Sequence, residues 1–171
     1  MAHRTEKPKM RLAHLLVMIG LISVLSACGG GRGGGYDMPS GLYPGETPQM
    51  RALVQRYAAV HDIPEPLLHR VIQRESDYRA DARNGPYYGL MQILPQTART
   101  MGHNGPPEEL LDPEVNLTYA GRYLRGAWLV SDGDIDDAVG WYARGYYYEA
   151  RDRCLLVETG LNDREIARHC R

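Results

Sequence analysis

Prolines set the helix starts in this chain. Pro48, Pro66, Pro95 and Pro113 each stand at the head of a stretch with helical apolar spacing. A proline lacks an N–H and clashes inside a helix, but its fixed φ suits the first turn. Thr47 adds a capping hydroxyl before Pro48, so a helix is expected to about His61. Pro64 and Pro66 open a second, to about Tyr78. Pro95 opens a short third that stops at Gly102. Asp112 precedes Pro113 in a fourth, where Leu117, Ala120, Leu124 and Trp128 follow helical spacing. Asp134 caps a fifth through "IDDAVGWYARG", and Asn162 with Glu165 has capping-box spacing for a last helix carrying Cys170. Between Arg79 and Leu94 the helical signal fails. "NGPYYGLMQI" holds a turn dipeptide, a proline and a second glycine, so a loop or short hairpin is expected. The fold class is mostly α with a minor β part, and the irregular region directly follows the second helix. Residues 48–171, about 124 in number, suffice for one compact domain.

The second helix carries an anomaly. In "PEPLLHRVIQRESDYR", Leu67, Val71 and Glu75 fall at i, i+4 and i+8, with Leu68 and Ile72 beside them. An apolar stripe thus ends on a carboxylate. One reading is an exposed helix end whose acid pairs with Arg74 or Arg79. The other is a half-buried acid. Burial disfavours the charged form and raises the pKa, and a carboxylic acid still protonated near neutral pH can serve as a general acid. Periodicity alone does not choose between them.

The start of the chain reads as an address. Arg4, Lys7, Lys9 and Arg11 precede "LAHLLVMIGLISVLSA", a run of 16 mostly apolar residues that is short for a membrane span. "LSAC", ending at Cys28, resembles the lipobox of bacterial lipoproteins. That resemblance implies removal of residues 1–27, acylation of Cys28 and attachment to a membrane, and Gly29 is compatible with sorting to the outer membrane. Residues 28–47 contain eight glycines and two prolines, a composition that forms a tether rather than a core. As a coil it spans about 25 Å; stretched, about 65 Å. The glycines can equally serve only to clear the processing site. With Cys28 lipidated, Cys154 and Cys170 remain. They can pair in an oxidising compartment or stay as two buried thiols. Residues 1–27 hold four basic residues and Glu6, so their removal takes the formal charge from −1 to −4. The 16 basic residues left are all arginine and are interspersed with acids, which argues against a nucleic-acid surface. The 6 histidines and the cysteines show no metal-ligand spacing, so neither metal nor cofactor is expected.

Four motifs occur in order: "ES" at 75–76, "GLMQILPQTA" from 89, "DPEVNLTYAGRYL" from 112, and "WYARG" from 141. Together they resemble the lytic transglycosylases with a soluble-transglycosylase type of catalytic domain, over about residues 50–150. The resemblance implies a lysozyme-like helical fold and peptidoglycan glycan strands as substrate. It makes Glu75 the catalytic acid at the end of the long helix. Ser76, Gly89, Leu90, Met91 and Gln92 match the segment around the cleft floor, with Gln92 touching substrate. Asn84 falls near a position that helps hold the acetamido group, and Tyr88 is a candidate to contact the sugar. Asn116 matches a cleft-supporting asparagine, and Tyr142 a tyrosine beside the acid. The chain departs from the family at "WYARG": Ala143 stands where asparagine is usual, and Arg144 replaces a small residue. Arg144 then faces solvent or a peptide-stem carboxylate.

The implied chemistry cuts the bond between N-acetylmuramic acid and N-acetylglucosamine without water, leaving 1,6-anhydromuramyl ends. It needs no second carboxylate, although Asp81 in the loop remains open as one; Asp77 points away from Glu75 on a helix. Two rivals stay in view: a hydrolytic muramidase sharing the same acid, and a silent domain that binds glycan or scaffolds. Twelve tyrosines and no phenylalanine suit sugar binding. Tyr87, Tyr88 and the run 146–148 are candidates to meet pyranose rings, while Trp128 and Trp141 read as core.

Overall fold

A computed structural model describes residues 38–170. Residues 1–27, Cys28 and the tether up to 37 lie outside the described residues, with the processing and lipidation expected of them.

The punctuation translates into helices almost residue by residue. Helix α1 spans Pro48–His61, and the Thr47 hydroxyl accepts the Met50 N–H at 3.1 Å. Helix α2 spans Glu65–Ser76, with Pro66 in its first turn. It ends abruptly because Asp77 (φ 51°) and Tyr78 (φ 64°) both take left-handed conformations, which are unfavourable for residues bearing a Cβ. The chain then turns through a hairpin of β1 (Arg83–Asn84) and β2 (Tyr87–Tyr88), paired Arg83 to Tyr88 and Asn84 to Tyr87. Tyr88 also bridges Ile93, which closes the segment on itself. Helix α3 (Pro95–Thr100) and a 3-10 turn (Pro107–Leu111) lead to α4, Pro113–Val130. Asp112 caps α4 by accepting the Glu114 and Val115 N–H groups. Helix α5 spans Ile135–Arg144 behind an Asp134 cap, and α6 spans Tyr147–Asp152.

Helix α4 is the axis. It packs on α1, α3 and α5, while α2 lies against α1 and α5. Two glycines let neighbours approach. A Cβ on Gly121 would lie 2.4 Å from the His61 ring, and one on Gly126 2.2 Å from the Tyr146 hydroxyl. Those groups bond to the α4 backbone instead, His61 Nε2 to the Leu117 carbonyl at 2.8 Å and the Tyr146 hydroxyl to the Tyr123 carbonyl at 2.7 Å. The stripe of α2 is core throughout: Leu67, Leu68, Val71 and Ile72 are fully buried, as are Leu117 and Leu124 of α4. Truncating such a leucine to alanine costs about 2–5 kcal/mol.

The chain's end departs from expectation. No helix forms from Asn162 to Cys170; the segment is irregular, with a single 3-10 turn at Arg168–Cys170. The two presumed capping groups are engaged elsewhere. Glu165 accepts the Val157 N–H at 2.8 Å, and Asn162 accepts the adjacent Asp163 N–H. A disulfide between Cys154 and Cys170 ties this tail to the end of α6. Helix α6 itself carried no sequence signal, because Tyr146 at its start offers no side-chain cap. Trp128 and Trp141 are only partly buried, packed on the margin of the core rather than inside it.

Candidate active site

Glu75 lies in the last turn of α2, where the apolar stripe meets the surface. Its side chain is 23% exposed, and its nearest charge is the Arg74 guanidinium, with Nε 3.6 Å from Oε1. Among the described residues its carboxyl has no hydrogen-bond donor. Burial pushes its pKa up from the usual glutamate value, and Arg74 pulls only partly the other way. The acid is thus neither a surface ion pair nor fully enclosed. It is half-desolvated and stripped of the donors that would hold it ionised.

Facing it is the strand of chain from 88 to 92, held rigidly from behind. The fully buried Asn116 of α4 forms two of the bonds: its amide nitrogen donates to the Tyr88 carbonyl at 2.9 Å and its oxygen accepts the Met91 N–H at 3.0 Å, while the same nitrogen also donates to the Leu110 carbonyl at 2.8 Å. The Ser76 hydroxyl donates to the Leu90 carbonyl at 2.8 Å. The Tyr142 hydroxyl, from α5, donates to the Met91 carbonyl at 2.8 Å. Gly89 has φ 72°, and a Cβ there would sit 2.2 Å from the Leu110 carbonyl oxygen and 2.4 Å from the Asn116 amide, so no other residue fits. The segment ends in strain. Gln92 is left-handed at φ 45°, and its amide nitrogen donates to the Ala82 and Gly89 carbonyls. That leaves its carbonyl oxygen as the end without a partner among the described residues. Strain of this kind persists only where the surroundings hold it.

Between α2, the hairpin and α5 runs a cleft of ≈ 320 Å³, lined by Arg74, Glu75, Asn84, Tyr87, Gln92, Tyr142 and Ala143. A second lobe of ≈ 210 Å³ shares Tyr87, Gln92, Tyr142 and Ala143 with it and continues past Thr97, Tyr123 and Arg144. Of the residues singled out from sequence, Glu75, Asn84, Gln92 and Tyr142 meet in this cleft. Ser76, Tyr88, Gly89, Met91 and Asn116 do not line it; they form or brace the wall behind it. Tyr88 is buried, its hydroxyl bonded to Arg83 and its ring under the same guanidinium at 4.2 Å. Its neighbour Tyr87 is the one that faces the cleft, as strand alternation requires. Of the run 146–148, Tyr146 is core, and neither Tyr147 nor Tyr148 lines either lobe. Asp77 and Asp81 also lie outside the lining.

Tyr142 is the buried partner of the acid. Its hydroxyl pKa is pushed well up, first by burial and then by the charge of Glu75 and the neighbouring Tyr123. It therefore stays a neutral donor. Sequence reasoning missed Arg74, Tyr123 and Thr97 as lining residues. Tyr123 is legible afterwards: it lies one residue before the fully buried Leu124 on α4, on the flank turned toward α5.

Outside the cleft lining, the sulfurs of Cys154 and Cys170 lie with a ring nitrogen of His169 within 4.8 Å of one another, but the two sulfurs are bonded to each other. A family model described as the transglycosylase SLT domain matches residues 52–152. No solved structure matches the chain.

Proposed function

The chain belongs to the transglycosylase SLT family of peptidoglycan-directed enzymes of the bacterial envelope, and on that basis we propose that it cleaves the bond between N-acetylmuramic acid and N-acetylglucosamine without water, leaving 1,6-anhydromuramyl ends. The observation that supports this best is Glu75, half-buried at the cleft wall with a raised pKa and, among the described residues, no second carboxylate lining either lobe.

In this reading Glu75 enters the reaction protonated. Its proton passes to the glycosidic oxygen as the bond to the muramoyl C1 breaks, and the glucosamine leaves as an alcohol. The substrate's own acetamido oxygen bonds to C1 and carries the positive charge. Glu75, now a carboxylate, takes the proton from the muramoyl 6-hydroxyl. That oxygen attacks C1, the acetamido oxygen leaves, and the ring closes. Intramolecular attack draws on proximity and needs no positioned water or second acid. Gln92 and Asn84 are placed to hydrogen-bond the sugar, and Tyr142 to keep the floor and the acid in register. Ser76, Tyr88, Gly89, Met91 and Asn116 act at one remove by fixing that floor. No cofactor enters these steps.

The finer localisation is also part of the proposal. Residues 1–27 act as a lipoprotein signal, Cys28 as the acylated anchor at the periplasmic face of a membrane, the outer one by the Gly29 pattern. Residues 28–47 form the tether for the 48–171 domain. Digestion of purified peptidoglycan followed by mass spectrometry tests the chemistry. Products lacking the mass of a water, with no new reducing ends, are expected; reducing N-acetylmuramic ends would mean a hydrolytic muramidase. A protein that binds glycan and releases nothing would leave only the scaffold reading.

A further inference from the structure

The second lobe of the cleft contains a charge that the chemistry above does not use. Arg144 is the last residue of α5 and is exposed. Its guanidinium carbon lies 3.8 Å from the centroid of the Trp141 ring. Gly140, one turn before it, makes room: a Cβ there would come within 2.6 Å of the Arg144 Nη1. The side chain is thus folded back along its own helix and parked flat on an indole. Stacking occupies the face of a guanidinium and leaves its in-plane N–H groups available, the geometry that a carboxylate accepts in bidentate fashion. Among the described residues Arg144 has neither an acidic partner nor a hydrogen-bonded acceptor.

Two further polar groups line the same lobe without partners. The Tyr123 hydroxyl has no hydrogen bond among the described residues, although its neighbours Tyr142 and Tyr146 both use theirs. The ring is wedged edge-on against Tyr142 at 5.5 Å and tilted against Tyr146 at 4.7 Å, so its direction is set. The Thr97 hydroxyl, from the first turn of α3, is likewise unpartnered among the described residues. Among the described residues the only acid lining either lobe is Glu75, in the first. A stacked guanidinium and two hydroxyls converging on one concavity that lacks a counter-charge form an anion receptor.

We propose that the second lobe, through Arg144, Tyr123 and Thr97, binds a carboxylate of the substrate, so that the enzyme selects glycan by what its muramoyl residue carries. This inference rests on the peptidoglycan reading above. Two carboxylates share the chemistry: those of the peptide stem, and the lactyl carboxylate exposed when the stem has been removed.

Binding separates this idea from the bond-cleaving one. The full-length protein carrying Glu75→Gln is titrated with muropeptides in three forms: stem-bearing, stripped by an amidase to the lactyl acid, and stem-bearing with every carboxyl amidated. Adding Arg144→Ala is expected to weaken binding about tenfold for whichever carboxylate form occupies the lobe and to leave the fully amidated form within about twofold. Arg144→Lys keeps the charge but not the fork or the stack and is expected to fall between. Loss confined to the stem-bearing form assigns the stem carboxylates, loss confined to the stripped form assigns the lactyl carboxylate, and loss on both means that the lobe accepts either. Equal binding of all three forms with and without Arg144, or an equal loss on the amidated form, overturns the proposal. None of these readouts depends on which product the active protein makes.

Discussion

Two acids pack against helix α2, and they are treated in opposite ways. Beside the middle of the helix, the fully buried side chain of Glu46 lies against His69. Arg51 grips it with two hydrogen bonds of 2.6 Å, the Tyr43 N–H adds a third at 2.8 Å, and His69 stands 3.7 Å away. Burial is the largest single influence on Glu46 and pushes its pKa up, yet those donors together outweigh it and hold the carboxyl below the ordinary value. Near the helix's end, Glu75 is less buried but has no donor, and its pKa moves up. Burial does not decide the state of a carboxyl; its partners do. One acid is built into the scaffold as a charge, and the other is left half-desolvated without a donor, the state that the proposed general acid requires.

The largest expected effect lies at the unpartnered acid. Glu75→Gln preserves shape and hydrogen-bonding capacity but removes the proton, and loss of a general acid typically costs 10²–10⁴-fold in rate. Because Glu75 is asked to act twice, turnover of peptidoglycan is expected to fall about 10³-fold or more, with the unfolding transition intact. Retention of a tenth of the parent's turnover would remove Glu75 from the mechanism and with it the contrast between the two acids.

At Glu46 the expected loss is in stability. Arg51→Ala leaves the Glu46 carboxylate buried with its main partner gone, and breaking a buried pair in this way costs about 3 kcal/mol. Denaturant unfolding reads it, and turnover per folded molecule should stay near the parent's. If Arg51→Ala lowered turnover without lowering stability, the division of labour along α2 would be mistaken. The cluster also anchors the entering chain: Gly45 packs so closely on the Asp77 carbonyl that a Cβ would lie 2.6 Å from it.

These two regions differ in how far the sequence revealed them. The apolar stripe, the prolines and the caps act within a few residues of themselves, so the helices could be placed with their starts nearly in register. Glu75 was visible because a charge interrupts a periodic pattern. The Glu46 cluster was not, because it joins positions 43, 46, 51, 65, 69 and 78 across a turn and two helices, and nothing local in "GLYPGET" signals a buried acid. The wall behind the cleft was legible as motif but not as geometry. "GLMQ" pointed to the cleft, yet Gly89 and Met91 turn inward to Asn116 and only Gln92 faces out. The C-terminal segment misled for the same reason: Asn162 and Glu165 match a local capping pattern, but the disulfide to Cys154 and the Val157 N–H lie outside the window in which the pattern is read.

A smaller effect is expected at Tyr142. Tyr142→Phe removes one hydroxyl that donates to the Met91 carbonyl and stands beside the acid, while keeping the ring against Tyr123. The lost bond is worth about 1 kcal/mol of stability. Turnover should fall about tenfold through loosened geometry. A loss as large as that of Glu75→Gln would instead put the phenol into the proton transfers themselves.

The smallest effect is the most direct measure of the contrast, because the two acids should shift stability with pH in opposite directions. Glu46 has a folded pKa below its unfolded value of about 4.5. Its contribution is therefore present above that value and disappears as pH falls through the folded pKa. Glu75 has a folded pKa above the same reference. Its contribution is greatest below pH of about 4.5 and is lost as pH rises through the folded pKa, where the ionised form must sit half-desolvated. Unfolding free energies of the parent, Glu46→Gln and Glu75→Gln between pH 3 and 7.5 separate the two. Relative to the parent, Glu46→Gln should be least stable at neutral pH and recover toward acid. Glu75→Gln should gain on the parent at neutral pH and lose that gain toward acid. Should both variants drift the same way, the raised pKa of Glu75 is wrong. The acid would then be held ionised by Arg74 alone, an arrangement with no proton to give.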